Sequence, residues 1–443
     1  MVVPPDPGRD TDRAGRGARA PIGARLTATA APAGTPPRLA TVDAVRGVAV
    51  MGILLLNIIA FAMPGYAYVD PHYYGGADGA NFVAWALAYV LADGKMRGLF
   101  TMLFGASMLL IADRALASGA RPARVHYARM LWLCVIGMLH AYLVWAGDIL
   151  VLYALCGAAA FLAWRLPART LFVFAAALLA AKLAVGAVQY DAAARYEAAA
   201  TDPASDPALR AGWQAYRDSM APPPATAATD LTAYRGGWAS VQAARAETAL
   251  RYQQRILPLV IPDTLALIAL GMALFRTGFF SGGWSRRRYR QVALAGYLVC
   301  VPLYLPLVAW IDAIRFSPVT LLMTEALHLT LLRPLLAVAD AALVILFVQS
   351  GHARWLAERL AAAGRMAFSN YVGTSLVCTL LFYGYGLGWY GWLERWQCYG
   401  VVAGVWALIL LWSKPWLDRF AYGPLEWLWR SLARGRPQRF RRN

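Results

Sequence analysis

From residue 44 onward the chain alternates long apolar runs with short stretches rich in arginine, glycine or proline. A helix crosses the hydrocarbon core of a bilayer with about 20 mostly apolar residues. Ten runs approach or meet that length: 44–63, 94–112, 128–146, 148–164, 167–189, 256–275, 291–311, 330–350, 365–387 and 398–414. The pattern predicts an all-α fold, a polytopic transmembrane helix bundle of about 10 spans. The run 80–92, ANFVAWALAYVLA, is too short to span once Asp93-Gly94 breaks it. It is expected as a half-helix or interfacial segment packed before the second span.

The segments between and beyond these runs divide the chain. Residues 1–38 hold Pro, Ala, Gly and Arg with almost no large apolar side chains. Such a stretch cannot bury a core and is expected to be disordered, and it lacks the charged and apolar blocks of a signal peptide. The segment 190–255 carries Tyr, Trp, mixed charges and Pro222–Pro224, which suggests a small extracytoplasmic cap of short helices. The expected organisation is a tail at 1–40, a five-span half at 41–189, the loop 190–255, a second five-span half at 256–418 and a basic tail at 419–443.

Composition agrees. Of 443 residues 60 % are hydrophobic and 15 % charged, with mean hydropathy +0.47, against about 45–50 % and about 25 % in soluble domains. One water-soluble core cannot hold this excess. The net charge of +18 would suggest nucleic acid in a soluble protein, but here the arginines fall between apolar runs, as they do in cytoplasmic loops. With the N-terminus inside, inside segments carry Arg114, Arg121, Arg124 and Arg129, then Arg286–Arg288 and Arg290, then Arg354, Arg359 and Arg365, and both tails are basic. The outside segments carry few, apart from 190–255 with seven Arg, and long loops translocate largely regardless of charge. Both termini are therefore placed in the cytoplasm, with membrane lipids rather than nucleic acid as surroundings. The five cysteines show no metal-ligand spacing, so neither a disulfide framework nor a metal site is expected. P-loop, GxSxG and HExxH motifs are absent, which leaves ATP-driven pumping and those hydrolase classes without motif support.

Charges at membrane depth are costly and mark function or pairing. Asp43 and Arg46 are i,i+3 neighbours at the start of the first span. Asn57 follows Arg46 by eleven residues, which returns to nearly the same helix face roughly 16 Å higher. Arg46, Val50, Ile53 and Asn57 thus form one stripe, polar at both ends. Asp93, Lys95 and Arg97 open the second span, where an anion-binding role and a simple ion pair are equally good readings. His140 and Asp148 flank the tight turn at Gly147. A carboxylate that orients an imidazole fixes its tautomer and raises its basicity, although Asp148 also suits a helix N-cap. His72 stands in the first outside loop; His126, His328 and His352 read as interfacial. Arg333 and Asp340 are seven residues apart on one face, Lys182 and Asp263 are further intramembrane candidates, and Asn370 serves either a site or interhelical hydrogen bonding.

Five ordered blocks resemble the YeiB-like family of bacterial inner-membrane proteins: DAVRGVAVMGILLLNI (43–58), DGKMRGLFTMLFGAS (93–107), GMLHAYLVWAGDILVLYALCG (137–157), GRMAFSNYVGTSLVCTLLFYGYGLG (364–388) and GPLEWLWRSL (423–432). The opening Asp-x-x-Arg-Gly is also similar to that of heparan-α-glucosaminide N-acetyltransferase and membrane O-acyltransferases. That resemblance implies a transmembrane acyltransferase superfamily, whose members take an acyl group from cytoplasmic acyl-CoA and deliver it to an acceptor, often a glycan, across the membrane. His72 is the positional match to a His proposed as catalytic in the glucosaminide enzyme, but its surroundings differ. On this reading His140, held by Asp148, deprotonates the acceptor, Asn57 or an arginine stabilises the oxyanion, and Asp43, Arg46, Lys95, Arg97, Arg333 and Asn370 bind substrate. The rival reading is a transporter or exporter of a small anionic or amphipathic solute. A homodimer is left open.

Overall fold

The computed structural model describes residues 37–442; the tail expected at 1–40 lies outside them up to residue 36. Seventeen α-helices follow in order: α1 (Pro37–Ala62), α2 (Ala80–Leu91), α3 (Lys95–Ala117), α4 (Pro122–Leu143), α5 (Leu150–Ala160), α6 (Ala168–Thr201), α7 (Pro207–Met220), α8 (Ala225–Arg235), α9 (Trp238–Arg251), α10 (Leu257–Arg276), α11 (Arg286–Ala313), α12 (Pro318–Leu327), α13 (Arg333–Ser350), α14 (Arg354–Arg365), α15 (Ala367–Phe382), α16 (Arg395–Arg419) and α17 (Pro424–Arg434). Among the described residues the only β pairing is an isolated bridge between Phe420 and Arg441.

Each of the ten apolar runs falls on helix. Seven helical stretches among the described residues are long and apolar enough to cross a membrane: Ala40–Ala62, Ala80–Ala117, Ala168–Thr201, Trp238–Arg276, Arg286–Ala313, Pro318–Ser350 and Arg395–Arg419. Large apolar side chains such as Leu131, Val173, Val188, Leu298, Leu305 and Leu411 are exposed on the outer surface. An apolar exterior of this extent is suited to lipid.

α1 lies at the centre, packed by α3, α13, α14, α15 and α16. Apolar side chains gain little by leaving lipid for protein, so van der Waals fit and small residues hold such helices together. α1 and α14 cross where a Cβ on Gly47 would meet the Leu360 carbonyl and one on Gly364 the Asp43 carbonyl. α3 and α10 cross in the same way at Gly105 and Gly271, against the carbonyls of Ile268 and Met102.

The expected break after 80–92 is present. α2 ends at Leu91, Gly94 adopts a left-handed φ of 64°, and α3 begins at Lys95. The segment 190–255 does form short helices, but its borders differ from expectation. α6 continues to Thr201, and α9 runs into α10 through a π-helical turn, Tyr252–Ile256. A second π turn, His328–Leu332, joins α12 to α13. Each π turn is followed two residues later by a proline, Pro258 and Pro334. Proline offers no N–H to the carbonyl four residues back, and the wider turn absorbs that loss. Helices α8 and α9 are fixed to the ends of α4 and α15: the Gly384 amide donates to Tyr234 O (2.8 Å), and Arg245 donates to Leu143 O and to the Tyr385 hydroxyl (3.3 Å).

Candidate functional site

α2, α3, α6, α10, α12 and α13 bring a charged cluster together inside the bundle. Asp263 of α10, fully buried, is its hub. It accepts from Lys182 of α6 (2.7 Å), Arg97 of α3 (3.1 Å) and Arg333 of α13 (2.9 Å). Removing a charge from water costs several kcal/mol, and three cations around one carboxylate meet that cost by close pairing. The Gly94 turn allows it, because a Cβ there would meet the Arg333 side chain. Lys95, also fully buried, donates to Tyr89 O (2.5 Å) and lies 4.2 Å from the Tyr304 ring centre. The Tyr304 hydroxyl lies 2.9 Å from Nδ1 of His328, which stacks on Tyr89.

Beside this cluster is a cavity of about 290 Å³, lined among others by Asn57, Tyr68, Trp85, Asp93, Arg97, Ile149 and Glu325. Asp93 and Glu325 take part in no ion pair among the described residues. The cavity therefore offers acceptors, one guanidinium, one amide and aromatic faces.

His140 and Asp148 form a buried pair behind one wall of the cavity. Nδ1 of His140 lies 2.8 Å from Asp148 Oδ1, and each side chain is only 2 % exposed. Asp148 Oδ2 accepts from the Val151 amide (2.9 Å), so the carboxylate is N-cap and imidazole partner at once. A carboxylate only accepts, so Nδ1 donates its N–H to Asp148, and in the neutral ring Nε2 carries the lone pair. Nε2 is buried with no hydrogen-bond partner among the described residues. The next residue, Ile149, lines the cavity and donates its amide to the Tyr371 hydroxyl (3.2 Å), whose ring lies 5.2 Å from that of His140. The turn itself is pinned to α1 by stacking of Trp145 on Phe61 (4.1 Å).

The other sequence-derived candidates are placed as follows. Asn57 and Arg97 line the cavity; Lys95 and Arg333 are packed beside it. Arg333 and Asp340 pair with other helices, Asp340 accepting from Tyr297 (2.5 Å). Asp43 and Arg46 do pair (2.9 Å), and Arg46 also donates to Ser107 (2.8 Å). The stripe along α1 divides: Ile53 and Asn57 reach the cavity, whereas Arg46 is held at the far end and Val50 is in the core. Asn370 is away from the cavity, donating to Ala363 O and Ser413 and accepting from Trp412. His72 lies on a separate outer groove of about 430 Å³ with Asp78, Asp312 and Arg315. Both its ring nitrogens have neighbours, Asp70 at 3.2 Å and Arg315 at 3.3 Å. His126 and His328, expected at interfaces, are instead buried; His126 meets the Gly157 carbonyl at 3.0 Å and stacks on Phe161. Both rings turn inward from their helices, which loop composition does not reveal.

Sequence reading missed the hub role of Asp263, the cavity acid Glu325, Tyr304 and both π turns. π turns often occur at functional sites, and Pro258 and Pro334 were the visible signals for these two.

Together the fold and site define a membrane protein of bundled helices with a polar cavity, a buried charge cluster and a His–Asp pair. The chain belongs to the YeiB-like family. It is 30 % identical over 408 residues to uncharacterized protein YeiB of Escherichia coli strain K12, covering 89 % of this chain and 96 % of that one. It is 28 % identical over 405 residues to uncharacterized protein YxaH of Bacillus subtilis strain 168, covering 90 % and 94 %. A family model described as a protein of unknown function, DUF418, matches residues 274–436. No solved structure matches the chain.

Proposed function

We propose that the protein is a transmembrane acyltransferase of the bacterial inner membrane, which moves an acyl group from cytoplasmic acyl-CoA to an extracytoplasmic acceptor such as a glycan. The reading includes a ten-span bundle with both termini inside and 190–255 as the outer cap, in keeping with the distribution of arginines. The observation that carries it is the buried His140–Asp148 pair, with Nε2 of His140 unpartnered. One nitrogen is fixed by a carboxylate and the other carries no hydrogen bond, as in a general base; the acceptor reaches it when the Ile149 wall of the cavity moves aside.

The chemistry balances on these residues. Nε2 takes the proton of an acceptor hydroxyl or amine as its oxygen or nitrogen attacks the thioester carbonyl. The new C–O or C–N bond forms, the C–S bond breaks, and the CoA thiolate recovers the proton from the imidazolium. Asp148 stabilises that imidazolium through Nδ1–H, and Asn57 or Arg97, both on the cavity wall, supply hydrogen bonds to the oxyanion. His140 is preferred over His72 because the ring nitrogens of His72 are both engaged. The donor's phosphates suit arginine, and Arg46, Arg124, Arg129 and Arg287 are the cytoplasmic candidates on this topology.

Transport of a small anionic solute is the second reading. It is favoured by the gathering of Lys95, Arg97, Lys182 and Arg333 at and beside the cavity. Proteoliposomes separate the two: label from acetyl-CoA that becomes covalently attached to an acceptor supports transfer, whereas solute flux without transfer supports transport.

A further inference from the structure

The C-terminal helix α17 gathers arginines that form no ion pair among the described residues, although Glu426 is within electrostatic reach of Arg430 and Asp43 of Arg114. Trp429 donates from Nε1 to the Arg129 carbonyl (2.8 Å), and its ring lies 3.8 Å from the Arg129 guanidinium. The next residue, Arg430, stacks over Tyr422 at 4.7 Å. Arg430 and Arg434 are within electrostatic reach of Arg129, and Arg114, in the last turn of α3, is within reach of Arg430. None of these four takes part in an ion pair among the described residues. Glu426, the acid on α17, is turned into the bundle, where it accepts from the Phe368 amide (2.8 Å), the Ser369 amide (3.1 Å) and the Ser369 hydroxyl.

Stacking uses the faces of the Arg129 and Arg430 guanidinium groups and leaves their N–H edges. Nε of Arg129 is buried without a hydrogen-bond partner among the described residues. Like charges held close in a half-buried place repel, so a fold that fixes them there gains from a bound anion. Planar guanidinium forks match phosphate in two-point hydrogen bonds.

We propose that Arg129, Arg430 and Arg114 form a phosphate-binding site, which takes the phosphate of an anionic lipid headgroup or of a soluble phosphate compound. The lipid source is the better fit. Leu425, Leu428 and Leu432 recur on one face of α17, with Trp427, Trp429 and the arginines alongside, which is the pattern of an interfacial helix. The site then lies at headgroup depth. This inference does not depend on acyl transfer.

The test uses purified full-length protein in neutral detergent, with its thermal midpoint followed against added phosphatidylglycerol, phosphatidylcholine or inorganic pyrophosphate. A rise with phosphatidylglycerol but not phosphatidylcholine supports the headgroup source; a rise with pyrophosphate alone supports the soluble source. In either case Arg430→Gln and Arg114→Ala should each weaken the response about tenfold, the order expected for loss of a charge-assisted pair. The double variant Arg288→Ala, Arg290→Ala, which removes positive charge at the start of α11, should respond like wild type. Arg430→Gln rather than Arg129→Ala is the decisive variant, since Arg129 also packs Trp429. The proposal is overturned if neither phosphate probe acts, if phosphatidylcholine acts equally, if Arg430→Gln responds like wild type, or if the α11 variant loses the response to the same extent.

Discussion

Nδ1 of His140 lies 2.8 Å from one oxygen of Asp148, while the other oxygen of that carboxylate accepts the Val151 amide at 2.9 Å. The same side chain starts a helix and sets the tautomer of an imidazole, and substitution can separate these roles. The carboxamide in Asp148→Asn has a single acceptor oxygen, enough for the cap or for His140 but not both. Asp148→Asn should therefore lower transfer by on the order of 10²–10⁴-fold, the worth of general-base catalysis, with little change in thermal midpoint. Asp148→Ala should add a stability loss of about 1 kcal/mol for the missing cap. Thermal unfolding in detergent, run beside the transfer assay, resolves the two effects; equal activity in Asp148→Asn and wild type would deny His140 its orienting partner.

Asp263 is shared by three cations, of which Arg333 is fully buried. Asp263→Ala leaves those charges without their counter-ion, and breaking a buried pair costs about 3–5 kcal/mol. The variant should be recovered folded in much lower yield. The double variant Asp263→Leu, Arg333→Met removes the most buried pair together and should recover a large part of the loss. A double variant no better than the single one would show that Lys182 and Arg97 dominate the cost.

Glu426 lies on α17, outside the spans, and burial raises its pKa above the usual 4.5 against the opposing effect of the hydrogen bonds it accepts. A carboxyl with a raised folded pKa holds more protons in the folded than in the unfolded state just above its ordinary value, so stability falls as pH rises through that window. The thermal midpoint of wild type should decline as pH rises above about 4.5, and Glu426→Gln should flatten that decline. A midpoint that rises over the same window in wild type but not in the variant would reverse the sign and contradict the assignment.

The central helix crossing depends on backbone contact. Gly47→Ala places a methyl against the Leu360 carbonyl, whereas Gly400 on α16 has open space around it. Overpacking of this kind costs about 1–3 kcal/mol, so Gly47→Ala should lower the thermal midpoint by several degrees and Gly400→Ala should leave it unchanged. Equal midpoints for the two variants would mean that α1 and α14 can separate without loss.

Much of the architecture was legible because it is governed locally. Apolar run length sets the helices, and Asp93-Gly94 marks the break between α2 and α3 through a left-handed glycine. The His140–Asp148 pair was also legible, since a tight turn keeps its partners eight residues apart. The charge hub was not. Lys182, Arg97 and Arg333 reach Asp263 from separate helices, 70 to 166 residues away in the chain, and no spacing rule connects them. The division of the α1 stripe was hidden for a related reason. Helical period places Arg46 and Asn57 on one face, but Ser107 of α3 captures Arg46 at one end while α2 and α12 enclose the cavity at the other. Asn370 could be read as site or as glue, and only its contacts with Ala363, Trp412 and Ser413 show what it bonds.

The most direct test of the central claim is transfer of labelled acetyl groups from acetyl-CoA by the purified protein in liposomes, wild type beside His140→Ala. Wild type should place label on an acceptor and the variant should lose that transfer by on the order of 10²–10⁴-fold, with the fold and CoA binding retained. Undiminished transfer by His140→Ala would contradict the assigned base. A wild type that neither transfers label nor binds CoA would contradict the acyltransferase reading and leave the charge cluster to transport.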